Sequence, residues 1–345
     1  MDKQEFYRLL QSVPKAEIHL HAEAIIGKKS IKTLYKKNLD KDMSDQEISN
    51  IFTYGNLSEF IESFLEIQRL FKSPEDFNLL FDDIIVYLEE NHIVYCELFL
   101  APSTFIRNGL SYSEILAVFT GRIDALYREK KIVIKLLIDI SRTFGYDNAL
   151  NNYVLVKQNP SPHIIGIGLG GDEKRGAARL FADLFQQAKK EGFHVVAHAG
   201  EDAGPESIWD AINYLNVERI GHGIAAIADP ELIDYLKEKQ IPLEICITSN
   251  VFTKKIVSAI QDHPIKELFA RGVFVTLNTD DPTFFNISLL DEYWNLHHEL
   301  NFGLDDVKRV LVNGFEASFL SPAEKRAYVK KLTEAWETAL AAVAR

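Results

Sequence analysis

Six side chains able to bind a metal stand in short motifs spread along the chain. They are His19 and His21 in AEIHLH, His198 in VVAHAGE, His222 in RIGHG, and Asp280 and Asp281 in VTLNTDDP. Each motif ends an apolar run of β type, so all six groups are expected at the carboxyl ends of strands. Residues two apart on a strand face the same side, which lets His19 and His21 project together. An isolated HxH pair is more often packed or on the surface; the convergence of six such groups is what argues for a metal. Three neutral imidazoles and one carboxylate form a borderline N/O donor set that suits Zn²⁺, with iron, cobalt and manganese compatible. His19, His21, His198 and Asp280 are the expected ligands, leaving a position for a water whose pKa the metal lowers towards ~7. One ion is expected rather than two. The fourth strand, in IIGIGLGGDE, has no Lys at its end to bridge a pair, and Asp172 and Glu173 come several residues later.

Three further groups suit acid–base work beside such an ion. Glu201 follows His198 by three residues in HAGE and can deliver a proton to a ring nitrogen. The bland alternative is a carboxylate favoured by a helix dipole, since a helix is expected from Pro205. His222, between Gly221 and Gly223, has room to orient a metal-bound water and to stabilise charge as it attacks. Taken alone it would more often be a satisfied core histidine. Asp281 can hold the same water or its proton, and two adjacent carboxylates repel unless a cation lies between them.

These groups need a scaffold that brings distant strand ends together. Strand-like runs are predicted at Ala16–His21, Ile93–Leu100, Ile132–Ile140, Ile164–Leu169, His194–His198, Arg219–Gly221, Ile241–Cys246 and Val273–Asn278. Several are almost continuous in Ile, Val and Leu, as in parallel strands covered on both faces. Helical patterns fall between them at Ser58–Arg69, Pro74–Glu90, Ser113–Glu129, Gly176–Glu191, Pro205–Leu215, Pro230–Lys239 and Pro264–Arg271. The alternation fits a closed barrel or a doubly wound sheet. No Gly-x-Gly-x-x-Gly follows the first strand, which weakens the dinucleotide-binding alternative. The predicted fold is therefore an α/β class (β/α)8 TIM barrel, whose active sites lie at the carboxyl ends of the strands. Residues 28–75 read as a helical insertion after strand one, and the region beyond Leu304 as C-terminal helices. The aromatics Phe52, Tyr54, Phe60 and Phe64 of the insertion are either part of a lid or simple core. No linker divides residues 1–345, so one domain is expected.

Bulk properties narrow the partners. The 345 residues are 47% hydrophobic and 26% charged, enough to build a large core. The net charge of −12 and the lack of a basic run exclude nucleic acid and an anionic membrane as natural partners. No stretch reaches the ~18 apolar residues of a membrane helix, and the first residues lack the apolar core of a signal peptide. Cys96 and Cys246 sit in apolar runs and read as buried thiols in a reducing compartment, hence a cytoplasmic protein acting on a small molecule. Oligomeric state leaves no mark in the sequence.

In order and spacing, the motifs resemble those of the adenosine deaminase family of the amidohydrolase superfamily. The matching pieces are PKAEIHLH at Pro14–His21, GLGGDE at Gly168–Glu173, HAGE at His198–Glu201, ERIGHG at Glu218–Gly223, TSN at Thr248–Asn250 and NTDDP at Asn278–Pro282. The resemblance implies one Zn²⁺ on His19, His21, His198 and Asp280, Glu201 as the proton donor, and His222 and Asp281 as the groups that orient water. It also implies that Gly171 lies against a purine, its N–H bonding ring N3, where a side chain would block the base. The implied reaction protonates N1 from Glu201, adds water to C6 and expels ammonia. The Pro-Cys-x-x-Cys element of cytidine-type zinc deaminases is absent.

Departures from the family pattern bear on the substrate. The family usually follows its HxH with Leu-Asp-Gly, whose Asp contacts the sugar 5′-hydroxyl; here Ala22-Glu23-Ala24 stands instead. Glu23 is then the candidate substrate contact, and resembles members acting on free adenine. HAGEDAGPESIWDA, and Gly168 in place of the usual Asp, resemble bacterial members acting on 6-aminodeoxyfutalosine. The loop Gly170–Glu173 resembles the adenosine type, and Ile247 replaces a usual Pro with little effect expected on the chemistry. Adenosine or deoxyadenosine is the expected substrate, with adenine and 6-aminodeoxyfutalosine as alternatives. A hydrolase of amides or esters on the same barrel would not need the Glu201–His222–Asp281 set. A silent purine-binding relative would be expected to have lost a ligand or the acid, and none is lost.

Overall fold

A computed structural model describes residues 1–55, 57–253 and 256–343; the side chains of Leu57 and Ser58 also lie outside the described set. Eight parallel strands follow one another in chain order: β1 Lys15–His21, β2 Ile93–Leu100, β3 Val133–Asp139, β4 Ile164–Leu169, β5 His194–Ala199, β6 Arg219–His222, β7 Leu243–Ile245 and β8 Val275–Leu277. The ring closes between β8 and β1 through a parallel bridge from Leu20 to Asp280. Asp280 N–H donates to the His19 carbonyl at 3.2 Å, and the Asp280 carbonyl accepts from His21 N–H at 3.0 Å. The Asn278 side chain adds to the seam, accepting from Ile18 and His19 N–H at 3.0 and 3.2 Å. Eight parallel strands with helices between them form the predicted α/β (β/α)8 barrel.

Three predicted strands are shorter than their apolar runs, β3 by one residue at each end and β7 and β8 by more. Pro242 has no N–H to give a ladder, so β7 starts at Leu243, and the chain turns into the helix Ile247–Thr253 straight after Cys246. Val273 N–H is taken by the Leu268 carbonyl at 3.0 Å, closing the preceding helix, so β8 begins later. The helix Gly145–Gln158 was not visible in the sequence. Its GYDNALNNYVLVKQ opens on Gly and is rich in Asn, all poor helix formers. The helix Lys3–Gln11 was also missed, although its Asp2/Glu5 capping box is a readable signal.

The insertion is helical as predicted, with helices at Lys28–Leu39, Asp45–Ile51 and Leu57–Gln68; Asn56 within it lies outside the described residues. Helices Leu304–Ala317 and Pro322–Val343 form the C-terminal extension. Inside the barrel Phe99, Leu137 and Val196 form a small apolar layer of their own beneath the histidines. Both cysteines are buried and free. No described helix is long and apolar enough to cross a membrane.

Candidate active site

The seam between β8 and β1 sets His19, His21 and Asp280 side by side and β5 adds His198 from across the barrel, with one donor atom of each within 4.8 Å of the others. Asp280 Oδ1 lies 3.3 Å from both His19 Nε2 and His21 Nε2. His21 Nε2 is 3.1 Å from His198 Nε2. Ser249 donates to the other Asp280 oxygen at 2.7 Å, which turns Oδ1 towards the imidazoles. Asp280 and His222 hold φ of +67° and +61°, costing about 1–3 kcal/mol each, in exchange for aiming both side chains at one point.

The residues fit a cation. His19 Nε2, His198 Nδ1, His222 Nε2 and Asp281 Oδ1 are buried without a hydrogen-bond partner, an uncommon state for polar atoms. Burial opposes charge on His19, yet the nearby carboxylates of Asp280 and Glu244 overcome it and raise the ring to about 9. Burial also opposes charge on His21, which Asp281 and Asp280 raise to about 10. A pocket that draws protons onto two imidazoles is one in which a divalent cation can take their place. Cys246 also lies near His222 and Asp280. Burial pushes its thiol well up, so it stays protonated and is a poor ligand.

Glu201 projects beside this cluster, its carboxylate 3.5 Å from His222 Nε2. Burial, and then the negative charges of Asp280, Glu173 and Asp281, push the Glu201 carboxyl well above the usual range. A carboxyl whose acid form is favoured in this way is equipped to donate a proton. His222 is held neutral by burial, its pKa lowered to about 3. Asp281 faces the same space, pushed well up by burial and by Asp280.

The outer supports were mostly missed in the sequence. Glu173, which ends the GLGGDE motif but was given no role of its own there, cradles the turn after β5. Its carboxylate accepts from the N–H groups of Ala203 at 2.7 Å, Asp202 at 3.3 Å and Glu201 at 3.5 Å. This fixes the backbone that carries Glu201. His19 Nδ1 lies 2.6 Å from Glu244, whose other oxygen takes Arg219 Nε at 2.5 Å; Arg219 then reaches Glu97 at 2.6 Å. A carboxylate on the outer nitrogen of a ligating histidine sets its tautomer and raises its basicity. The readable signal was a charged residue inside an apolar strand, Glu97 in VYCELFL and Glu244 in PLEICI.

Two glycines make room for these rings. A Cβ at Gly221 would lie 2.7 Å from His19 Cε1, and one at Gly168 would lie 2.5 Å from Phe99 Cε1. Phe99 in turn packs against His19, His21 and His198 at 5.0, 5.2 and 5.5 Å between ring centres. Gly168, unusual for the family pattern, therefore seats the aromatic ring beneath the ligands.

The cluster opens into a cavity whose empty space, open solvent at its mouth included, is about 1090 Å³. Phe60 and Phe64 of the insertion and Phe252 and Phe285 form an apolar wall, facing Asp139, Ser141 and Thr143. All four insertion aromatics pack around Phe284, and Phe60 and Phe64 also line the cavity. Gly171 lines the cavity with φ +91°. A Cβ there would lie 2.4 Å from Thr143 Oγ1, so the chain itself demands glycine before any base enters. Glu23 is buried beside the cavity and is not among its lining residues. One of its oxygens accepts from Ala101 N–H at 2.7 Å and the other has no partner. Burial raises this carboxyl to about 7.

The adenosine deaminase family description matches residues 14–335. An adenine deaminase of Crocosphaera subtropica is 32% identical over 92% of this chain and 97% of its own length. An aminodeoxyfutalosine deaminase of Streptomyces avermitilis is 31% identical over 96% of this chain and 94% of its own. Among solved structures, an amidohydrolase from Burkholderia ambifaria with bound Zn superposes with a TM-score of 0.91 at 20% identity, covering 98% of this chain and 94% of its own; that likeness speaks to the fold. The chain belongs to the adenosine deaminase family and is an amidohydrolase-type deaminase of adenine-like substrates.

Proposed function

We propose that this chain, as a member of that family, is a zinc-dependent deaminase converting adenosine or 2′-deoxyadenosine to the 6-oxo nucleoside and ammonia. The observation that carries the reading is a carboxyl pushed towards its acid form, Glu201, beside the three-histidine, one-aspartate cluster. His19, His21, His198 and Asp280 would hold one Zn²⁺. Bound there, the ion supplies a water acidified towards neutrality, which is the nucleophile the reaction needs.

The chain's own groups do the rest. Glu201 donates its proton to purine N1, which makes C6 electrophilic. Asp281, ionised once a cation balances its burial and the charge of Asp280, receives the proton of the attacking water, and neutral His222 faces the oxygen as it gains charge. The Gly171 N–H takes ring N3 as acceptor. Water adds at C6, the proton held on Asp281 passes to the 6-amino group so that ammonia leaves, and the C6 hydroxyl gives its proton back to Glu201 as the carbonyl forms. We further place the protein in the cytoplasm, where its two buried thiols stay reduced, as one catalytic unit over residues 1–345.

A second reading, free adenine as substrate, is favoured by Glu23, whose buried second oxygen lacks a partner beside the cavity. The test is ammonia release by the zinc-loaded protein from adenosine, 2′-deoxyadenosine, adenine and 6-aminodeoxyfutalosine. Fastest turnover of the first two supports the proposal. Preference for adenine transfers the substrate assignment to Glu23, and inertness towards all four overturns the reading.

A further inference from the structure

A buried line of side chains runs outward from His222 through Asn250 to His263, and its hydrogen-bond polarity follows from one backbone group. The Ile265 N–H can only donate, and it lies 3.1 Å from His263 Nδ1. His263 Nδ1 must then accept, so the proton of this neutral ring sits on Nε2. His263 Nε2 is 3.2 Å from Asn250 Oδ1, an acceptor. That bond fixes the Asn250 amide with its NH₂ pointing inward, 3.0 Å from His222 Nδ1. His222 Nδ1 therefore accepts as well, and its proton is on Nε2. That atom is buried without a partner, 3.5 Å from Glu201 and 3.9 Å from Asp280.

We propose that His263 and Asn250 are positioning residues that set the tautomer of His222, so that its Nε2 presents a hydrogen-bond donor to the reacting oxygen. His263 falls outside every motif quoted above, and it touches neither the expected metal ligands nor the cavity. Without its Nε2–H nothing distinguishes the two ends of the Asn250 amide. The amide can then rotate, face His222 with Oδ1, and pull the proton to Nδ1. His222 Nε2 then becomes an acceptor, the wrong polarity for an oxygen gaining negative charge.

The proposal rests on His222 acting in the deamination above, and two readouts separate the claims. His263→Leu removes the donor. His263→Gln restores it, because a glutamine can accept from Ile265 N–H and donate to Asn250. In the zinc-loaded protein, kcat is expected to fall by about 10²-fold or more in His263→Leu, in line with the loss of one oxyanion donor, with KM little changed. His263→Gln is expected to recover most of that loss. Independently of turnover, ¹⁵N NMR of the His222 ring should show a protonated Nε2 in the parent and in His263→Gln, and a protonated Nδ1 in His263→Leu. An unchanged His222 tautomer in folded His263→Leu overturns the proposal. If His263→Leu does not fold, Asn250→Asp decides, since a carboxylate must accept from His222 Nδ1–H; a ring protonated on Nε2 with Nδ1 bare overturns it too. A parent inactive on every 6-aminopurine would count against the functional reading and leave the NMR test standing.

Discussion

At the amino end of the barrel Arg219 gives Nε to Glu244, one Nη to Glu97, and the other to the Ala317 carbonyl at 3.1 Å. Glu97 completes its set with Tyr95 O–H at 2.6 Å and Phe319 N–H at 2.7 Å. At the carboxyl end His19 Nε2, His222 Nε2 and Asp281 Oδ1 are also buried and have no hydrogen-bond partner. Both ends take charge out of water, but only the first satisfies it within the chain. Satisfied buried charge fixes a geometry, whereas unsatisfied buried charge stores binding capacity for something that arrives later. His19 joins the two regimes: its outer nitrogen belongs to the anchored network and its inner nitrogen to the open one.

The largest expected effect separates the ends by chemistry. Stripping the metal with a chelator should abolish deamination and lower the melting temperature, and added Zn²⁺ should restore both. Retained turnover in metal-free protein would erase the distinction. The same end should show proton competition. The metal-free rings are raised to about 9 for His19 and about 10 for His21, so binding must displace protons held below those values. Zinc affinity measured by competition titration should therefore weaken as pH falls below that range.

At the amino end the effect should be on stability. Arg219→Met leaves Glu97 and Glu244 buried without their cation, and denaturant unfolding should report a loss of about 3–5 kcal/mol. The protein that remains folded, saturated with zinc, should keep kcat within a few-fold. A collapse of kcat without loss of stability would show that the two ends are not separable. The smallest effect belongs to the layer between them. Gly168→Ala forces Phe99 against the histidines, and a loss of about 1–3 kcal/mol in thermal or denaturant unfolding is expected.

The open end was far more legible in the sequence than the anchored one. His19, His21, His198, His222, Asp280 and Asp281 announce themselves because each is a donor at the end of an apolar run, and the barrel follows from the runs themselves. The supports announce little. Glu97 and Glu244 stand in mid-strand, and which of them meets Arg219 depends on closing the ring. Glu173 acts on backbone N–H groups, which no residue type reveals. His263 lies in a loop with no apolar period around it, and its role exists only through Asn250. Gly171 was read as clearance for a base, yet Thr143 and Ser141 already exclude a side chain there. Interactions that depend on side chains reaching across the barrel are invisible until the barrel is closed.

The decisive measurement is steady-state turnover and zinc content of Glu201→Gln beside the parent. Gln keeps the shape and loses the transferable proton. Loss of about 10²–10⁴-fold in kcat is expected, with one zinc per chain retained. Because burial raises the Glu201 carboxyl, its cost to the fold grows as pH rises from the unfolded value towards the folded one. The variant should therefore melt no lower than the parent at neutral pH, and the parent's activity should fall as pH rises through that folded value. A Glu201→Gln protein that deaminates at the parent's rate with its zinc in place would contradict the assignment of Glu201 as the acid.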